Sequence, residues 1–101
     1  YLMRSPKSIP LAVGTSTKIA DANGAMGLRY IRVKVLPGSP SQPTFFSSDT
    51  DPSATNGEQI TLVGNDIFEQ LLVPGEAIYA RNNGAVQYSV MVYEVQVQDG
   101  D

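Results

Sequence analysis

Leu72 to Val97 reads LVPGEAIYARNNGAVQYSVMVYEVQV, and its reading decides the fold class. Two turns punctuate it. At Pro74-Gly75, proline fixes φ at the first central position and glycine supplies φ > 0 at the second. At Asn82-Asn83-Gly84, residues that tolerate left-handed conformations cluster again. Between the turns, Ala77 to Ala80 is long enough for a short strand. After them, Val86 to about Val97 is rich in Val, Tyr and Met, which suit a pleated, half-buried surface. The stretch therefore predicts a β-hairpin and a β scaffold.

The long strand carries an irregularity. Val86, Tyr88, Val90 and Val92 place apolar side chains at even positions, then Glu94 and Gln96 are polar while Tyr93, Val95 and Val97 take over. A bulge near Val92-Tyr93 would cause this flip. So would passage into a second packing environment, such as a subunit interface. The strand is accordingly expected centrally in its sheet or beneath a neighbouring subunit.

Working outward, Ile9 to Ile19 alternates with period two, predicting one strand with Ile9, Leu11, Val13, Thr15, Thr17 and Ile19 on one face. Pro10 cannot donate a ladder hydrogen bond, which points to an edge strand or a strand start. Leu28 to Leu36 (LRYIRVKVL) is a second strand, with Ile31, Val33 and Val35 opposite Arg32 and Lys34. Thr44 to Ser48 and Gln59 to Val63 are shorter strands. Ile67 to Val73 has partly helical spacing but is short for a helix and reads as a strand. In Thr44–Ser48, Phe45 and Phe46 are adjacent, so only one ring can face a single core. The other must cover a loop or meet a partner. The tally is about seven to eight short strands with frequent turns, the signature of a sandwich or small barrel, and the expected fold is an all-β, antiparallel, jelly-roll-like sandwich.

Composition bounds the rest. At 101 residues the chain is one domain, and with 42% hydrophobic residues it can build one modest core. Residues 9–98 form the expected sandwich. Residues 1–8 (YLMRSPKS) lack periodicity and read as an extended arm, either frayed or reaching onto a neighbour. No apolar run approaches the roughly 20 residues of a membrane span, and no signal-peptide pattern is visible. Its first residue is Tyr1, which leaves room for an upstream piece.

The net charge of −3 argues against general nucleic-acid binding. It is unevenly placed: residues 1–34 hold six basic groups and one acid, and residues 35–101 hold one basic group and nine acids. Either strands from the two halves interleave and mix these charges, or the subunit is dipolar and docks its basic side on an acidic partner.

The chain has no His and no Cys. That removes His-based nucleophile pairs, His- or thiolate-ligated zinc and disulfides. No phosphate-cradling GxxxxGK[ST] or GxGxxG motif occurs. Carboxylates are present, but they form no pattern beyond that of an acidic surface. Asp49-Thr50-Asp51 begins like a calcium loop, yet Ser53, Ala54 and Ile60 stand where that loop needs an acid or Asn, a Gly and a Glu. No catalytic residue, cofactor or metal is expected, and the chain reads as non-enzymatic.

The LxPGE turn (Leu72, Pro74, Gly75, Glu76), the Tyr79-Ala80 strand end, the Asn83-Gly84 turn and the terminal VxVYEV strand (Val90, Val92, Tyr93, Glu94, Val95) resemble the C-terminal half of small β-sandwich virion proteins of tailed bacteriophages. The strands from Ile9 and RYIRVKV fit the same layout. The resemblance implies a capsid decoration (cement) or head-fibre-type protein. Such a protein binds and stabilises the major capsid lattice, sits on the virion surface, is commonly a trimer or a monomer at a symmetry axis, with a homo-oligomeric trimer favoured here, and often clasps neighbours with a terminal arm. The stretch 36–57 departs from a plain hairpin connection and would be a variable contact loop. Candidate partner contacts are Tyr1, Leu2, Met3, Arg4, Lys7, Phe45, Phe46, Tyr93, Val95 and Val97. The alternatives are a tail, fibre or carbohydrate-binding module for host-surface recognition, and a neck or tail-completion protein. A sugar-binding face would have to use tyrosines or phenylalanines, because the chain has no Trp.

Overall fold

The computed structural model of the chain describes residues 6–21, 27–36, 43–48, 52, 57 and 67–96, and residues 2–3 and 58–61 through their backbone. Among these residues lie nine strands: β1 (Leu2–Met3), β2 (Lys7–Leu11), β3 (Ser16–Ala20), β4 (Arg29–Val35), β5 (Pro43–Ser47), β6 (Glu58–Thr61), β7 (Ile67–Leu72), β8 (Ile78–Asn82) and β9 (Tyr88–Gln96). One sheet runs β1/β2-β9-β4-β7, the other β3-β8-β5-β6. All pairings between the named strands are antiparallel. The 17 Å short dimension suits two sheets stacked about 10 Å apart.

The topology has a simple rule. β5 pairs β6, β4 pairs β7, β3 pairs β8 and β2 pairs β9. The chain is a doubled-back ribbon, and rolling it adds the β4–β9 and β5–β8 contacts. This is the eight-strand jelly roll, with β1 extending the β9 flank that β2 occupies. The all-β sandwich expected from the sequence is thus what forms.

Three expectations need correction. The hairpin over Leu72–Val97 does not form, because β8 and β9 lie in different sheets. The turns at Pro74-Gly75 and Asn83-Gly84 carry the chain from one sheet to the other. Gly75 has φ +85° as expected, but the turn joins strands that do not pair with each other. The single strand over Ile9–Ile19 is two strands, β2 and β3, one in each sheet. The corner sits at Gly14 (φ +71°), whose N–H donates to the Asn82 carbonyl at 2.8 Å. Alternation continues across the corner, so periodicity did not mark it. Finally, no bulge interrupts β9: its register with β4 runs unbroken from Arg29↔Gln96 to Val35↔Val90. The irregular strand is β3, whose register with β8 shifts between Lys18 and Ala20 and leaves Ile19 and Ala20 both buried.

Other expectations hold. β9 is central, flanked by β1 and β2 on one side and β4 on the other. β2 is an edge strand. The Ser89 carbonyl accepts from Leu36 N–H on the β4 side. In an antiparallel ladder a residue's N–H and C=O point the same way. Pro10, opposite Ser89, therefore turns its nitrogen to solvent, where no donor is needed. Ile67–Val73 is a strand as read, β7.

The core lies between the sheets: Ile31, Val33, Val90, Val92 and Leu72 meet Ile78, Ala80, Phe46 and Ile19, all buried. Each such aliphatic contributes about 1.5–3 kcal/mol by leaving water. Phe46 stacks on Phe68 across the sheets, centroids 4.2 Å apart.

A polar clasp closes each end of this core. At one end Asn82 is fully buried. Its Nδ2 donates to the carbonyls of Leu11 (3.0 Å) and Val86 (2.9 Å), and its Oδ1 accepts from Gly84 N–H (2.9 Å). Beside it the Tyr88 and Thr44 hydroxyls share a hydrogen bond across the sheets. At the other end Arg29 is fully buried. It donates to the carbonyls of Asp21 (2.7 Å) and Glu76, and its Nη1 lies 3.7 Å from Glu94 Oε1. This explains the polar half of the phase flip in β9. Glu94 shares the inward parity of Val90 and Val92, and it is polar because an arginine is buried next to it.

Truncating Asn82 to Ala strands two carbonyls and an amide. The expected loss is about 2–4 kcal/mol in urea unfolding, and Asn82→Asp should fail similarly because a carboxylate cannot donate. A loss below about 0.5 kcal/mol would remove the clasp's role. Burial holds the Tyr88 pKa above its ordinary value of 10.0, partly offset by the Thr44 bond. The folded state keeps this proton after the unfolded chain has lost it. The resulting stability is complete below about pH 10 and is lost as pH climbs towards the folded pKa. Melting temperature should therefore fall between about pH 9 and about pH 11, and fall less steeply in Tyr88→Phe. Equal slopes would contradict this linkage.

Candidate interaction face

Register fixes which side chains share the outer face of the five-stranded sheet. β4 turns Arg29, Ile31 and Val33 inward, so Tyr30, Arg32 and Lys34 point out. Opposite them on β9 stand Val95, Tyr93 and Met91, and on β7 stand Leu71, Glu69 and Ile67. The face is thus three rows: Val95–Tyr30–Leu71, Tyr93–Arg32–Glu69 and Met91–Lys34–Ile67. The first row is apolar apart from a phenol. In the others, charge sits on an apolar ground.

Leu71 is 53% exposed and Ile67 38%, while Tyr30, Met91, Tyr93 and Val95 are half-buried by their neighbours on the face. Arg32 and Glu69 approach to 3.8 Å with both side chains about half exposed. Such a pair contributes under about 1 kcal/mol to stability. The Arg32 guanidinium also lies 5.8 Å from the Tyr30 ring centre and within 3.4 Å of its hydroxyl. Arg32 is therefore held between an aromatic and an acid.

A cleft of about 210 Å³ opens where β7 faces β5, lined by Phe46, Phe68, Ser48, Gln70 and Glu76 among others. Glu76 Oε1 accepts from Val73 N–H at 3.3 Å and so braces the Pro74-Gly75 turn. Among the described residues no group of three His, Cys, Asp or Glu could hold a metal ion. No helix among them is long and apolar enough to cross a membrane.

The sequence-based contact candidates divide. Tyr93 and Val95 are on this face. Lys7 is exposed on the β2 edge, in register with Val92. Leu2 and Met3 pair through their backbone with Gln96 and Val95 of the same chain. Tyr1, Arg4 and Val97 lie outside the described residues, as does most of the stretch 36–57. Phe45 and Phe46 must be withdrawn, at 6% and 3% exposure. Phe46 is in the core, and Phe45, on the opposite side of its strand, is also covered by this chain. Missed were Arg32, Leu71 and Ile67, and Tyr30 counted only among the tyrosines of a possible sugar-binding face. One signal was available: in Leu71-Leu72, as in Phe45-Phe46, two adjacent apolar residues of a strand cannot share a face.

The two halves' charges interleave. Arg29 and Arg32 from the basic half meet Glu94 and Glu69 from the acidic half, because β4 is paired between β9 and β7.

No family model matches the chain, and no curated protein does. Among solved structures it is similar, with a TM-score of 0.47 and 14% identity, to a chain from a structure titled "Bacillus endospore appendages form a novel family of disulfide-linked pili". The likeness covers 96% of this chain and 88% of that one. At this level it carries no functional inference.

A face that is not core should tolerate polarity. Leu71→Asp should stay folded, within about 1 kcal/mol of wild type by denaturant midpoint. Collapse of the fold would show that Leu71 belongs to the core.

Proposed function

We propose that this chain is a non-enzymatic structural subunit that works by packing against neighbours on a particle surface, and that its specific form is a decoration protein on a tailed-phage capsid lattice. The observation that carries the reading is the outer face of the five-stranded sheet. Its first row, Val95–Tyr30–Leu71, puts apolar and aromatic groups where an isolated sandwich would place charge. Aromatic and Arg anchors are the groups that contribute most at interfaces. The capsid form rests on the virion-protein resemblance of the C-terminal third. The jelly roll recurs in viral capsid proteins and in lectins, and that recurrence is analogy only.

A second reading uses the same face. Tyr30 and Tyr93 are diagonal neighbours on adjacent strands, so the pair could serve as a platform for a sugar. The other aromatics once available for this role are fewer, since Tyr88, Phe45 and Phe46 are buried.

Added to purified capsids that lack it, the wild-type chain should co-sediment and raise the temperature of rupture, and Leu71→Asp should do neither. No co-sedimentation and no shift would overturn the capsid form. Binding on a glycan array that Tyr93→Ala abolishes would favour the second reading instead.

A further inference from the structure

We propose that the partner on the β4–β7 half of this face is a second copy of the chain, docked about a two-fold axis parallel to the strands and midway between β4 and β7. This rests on the reading above, that the face is a packing surface.

The argument comes from the register. Within one chain, Tyr30 lies beside Leu71, Arg32 beside Glu69 and Lys34 beside Ile67. A two-fold axis along the boundary between their strands keeps each row and exchanges the columns. Every residue of β4 then faces the copy of its own cross-strand neighbour. Tyr30 meets the partner's Leu71, and Arg32 meets the partner's Glu69. The Lys34 stem lies over the partner's Ile67, its ammonium free to reach water. Each pairing is favourable, and each occurs twice.

The alternative axes do not achieve this. An axis along β4 itself would set Arg32 against the partner's Arg32 and Lys34 against the partner's Lys34. An axis across the strands at the middle row would oppose Glu69 to the partner's Glu69 as well as Arg32 to the partner's Arg32. An axis midway between β4 and β9 opposes no like charges, but it offers Arg32 only the partner's Tyr93 and Lys34 only the partner's Met91. Of these axes, only the one between β4 and β7 sets Arg32 against an acid. Arg32 and Glu69 already lie 3.8 Å apart in one chain and are about half exposed, so each has capacity for a second partner. The contact is two strands wide on each side, which places it among small, reversible interfaces.

The test exploits the geometry. Arg32→Glu leaves two acids in the middle row, and Glu69→Arg leaves two bases there. Each variant alone should fold normally by its melting curve. In sedimentation velocity from about 10 μM to about 1 mM, each should self-associate at least about tenfold more weakly than wild type. Mixed in equal amounts they should form a one-to-one heterodimer, since both cross-interface contacts become acid to base. Restoration to within about threefold of wild-type affinity is the expected result. A wild-type chain that stays monomeric throughout, single variants that dimerise like wild type, or a mixture that does not associate would each overturn the two-fold. If Leu71→Asp still abolishes capsid binding in those cases, the packing face stands and only its partner is different.

Discussion

The fold depends on pairing the two halves of the chain strand by strand, first with last. β2 must find β9, across more than half of the sequence, before the core between the sheets can close. Local hairpins contribute little to this architecture: among the described strands only β5–β6 is a pair of consecutive strands. Closing such long loops costs entropy before any contact repays it, which places this fold among the slow, non-local topologies. The two buried clasps are arranged around that difficulty. Asn82 ties β8 to the end of β2 and to the entry of β9, and Arg29 ties β4 to the Asp21 and Glu76 segments and to Glu94. Each sits where the ribbon changes sheet, and each leaves the middle of the sandwich free for aliphatic packing.

That arrangement explains what could be read from the chain alone. Strand positions were legible because period-two alternation and turn residues act locally: β4, β5, β6 and β7 lie where the pattern put them, to within a residue or two. Partners were not legible, since alternation says which face a residue takes and nothing about which strand lies beside it. Pro74-Gly75 and Asn83-Gly84 have the chemistry of tight turns, and a tight turn can join two sheets as readily as two paired strands. The switch of apolar phase in β9 was a true signal, and its polar, inward half does not come from a bulge. A buried arginine demanded an acid at an inward position.

The candidate face shows the same division. Tyr93 and Val95 could be picked out from β9 by themselves. Tyr30, Arg32, Leu71 and Ile67 acquire meaning only once β4 is known to lie between β9 and β7, because the face is a property of three strands distant in sequence. Phe45 failed as a contact for a related reason. Its adjacency to Phe46 fixed that the two rings diverge, but not that the chain itself would cover both. The uneven charge of the two halves is likewise resolved by pairing, which sets bases against acids within one sheet.

Pro10 turns a nitrogen without a hydrogen out of the β2 edge, and the register shift between Lys18 and Ala20 makes edge strand β3 irregular. Both blunted edges belong to the N-terminal side of the roll, one in each sheet. A foreign strand approaching there finds no regular row of donors and acceptors to copy. Open-ended stacking of one sandwich on the next needs two receptive edges per sheet, and this chain denies one in each. At high local concentration, that asymmetry steers copies away from runaway sheet extension and leaves contact through faces as the easier route.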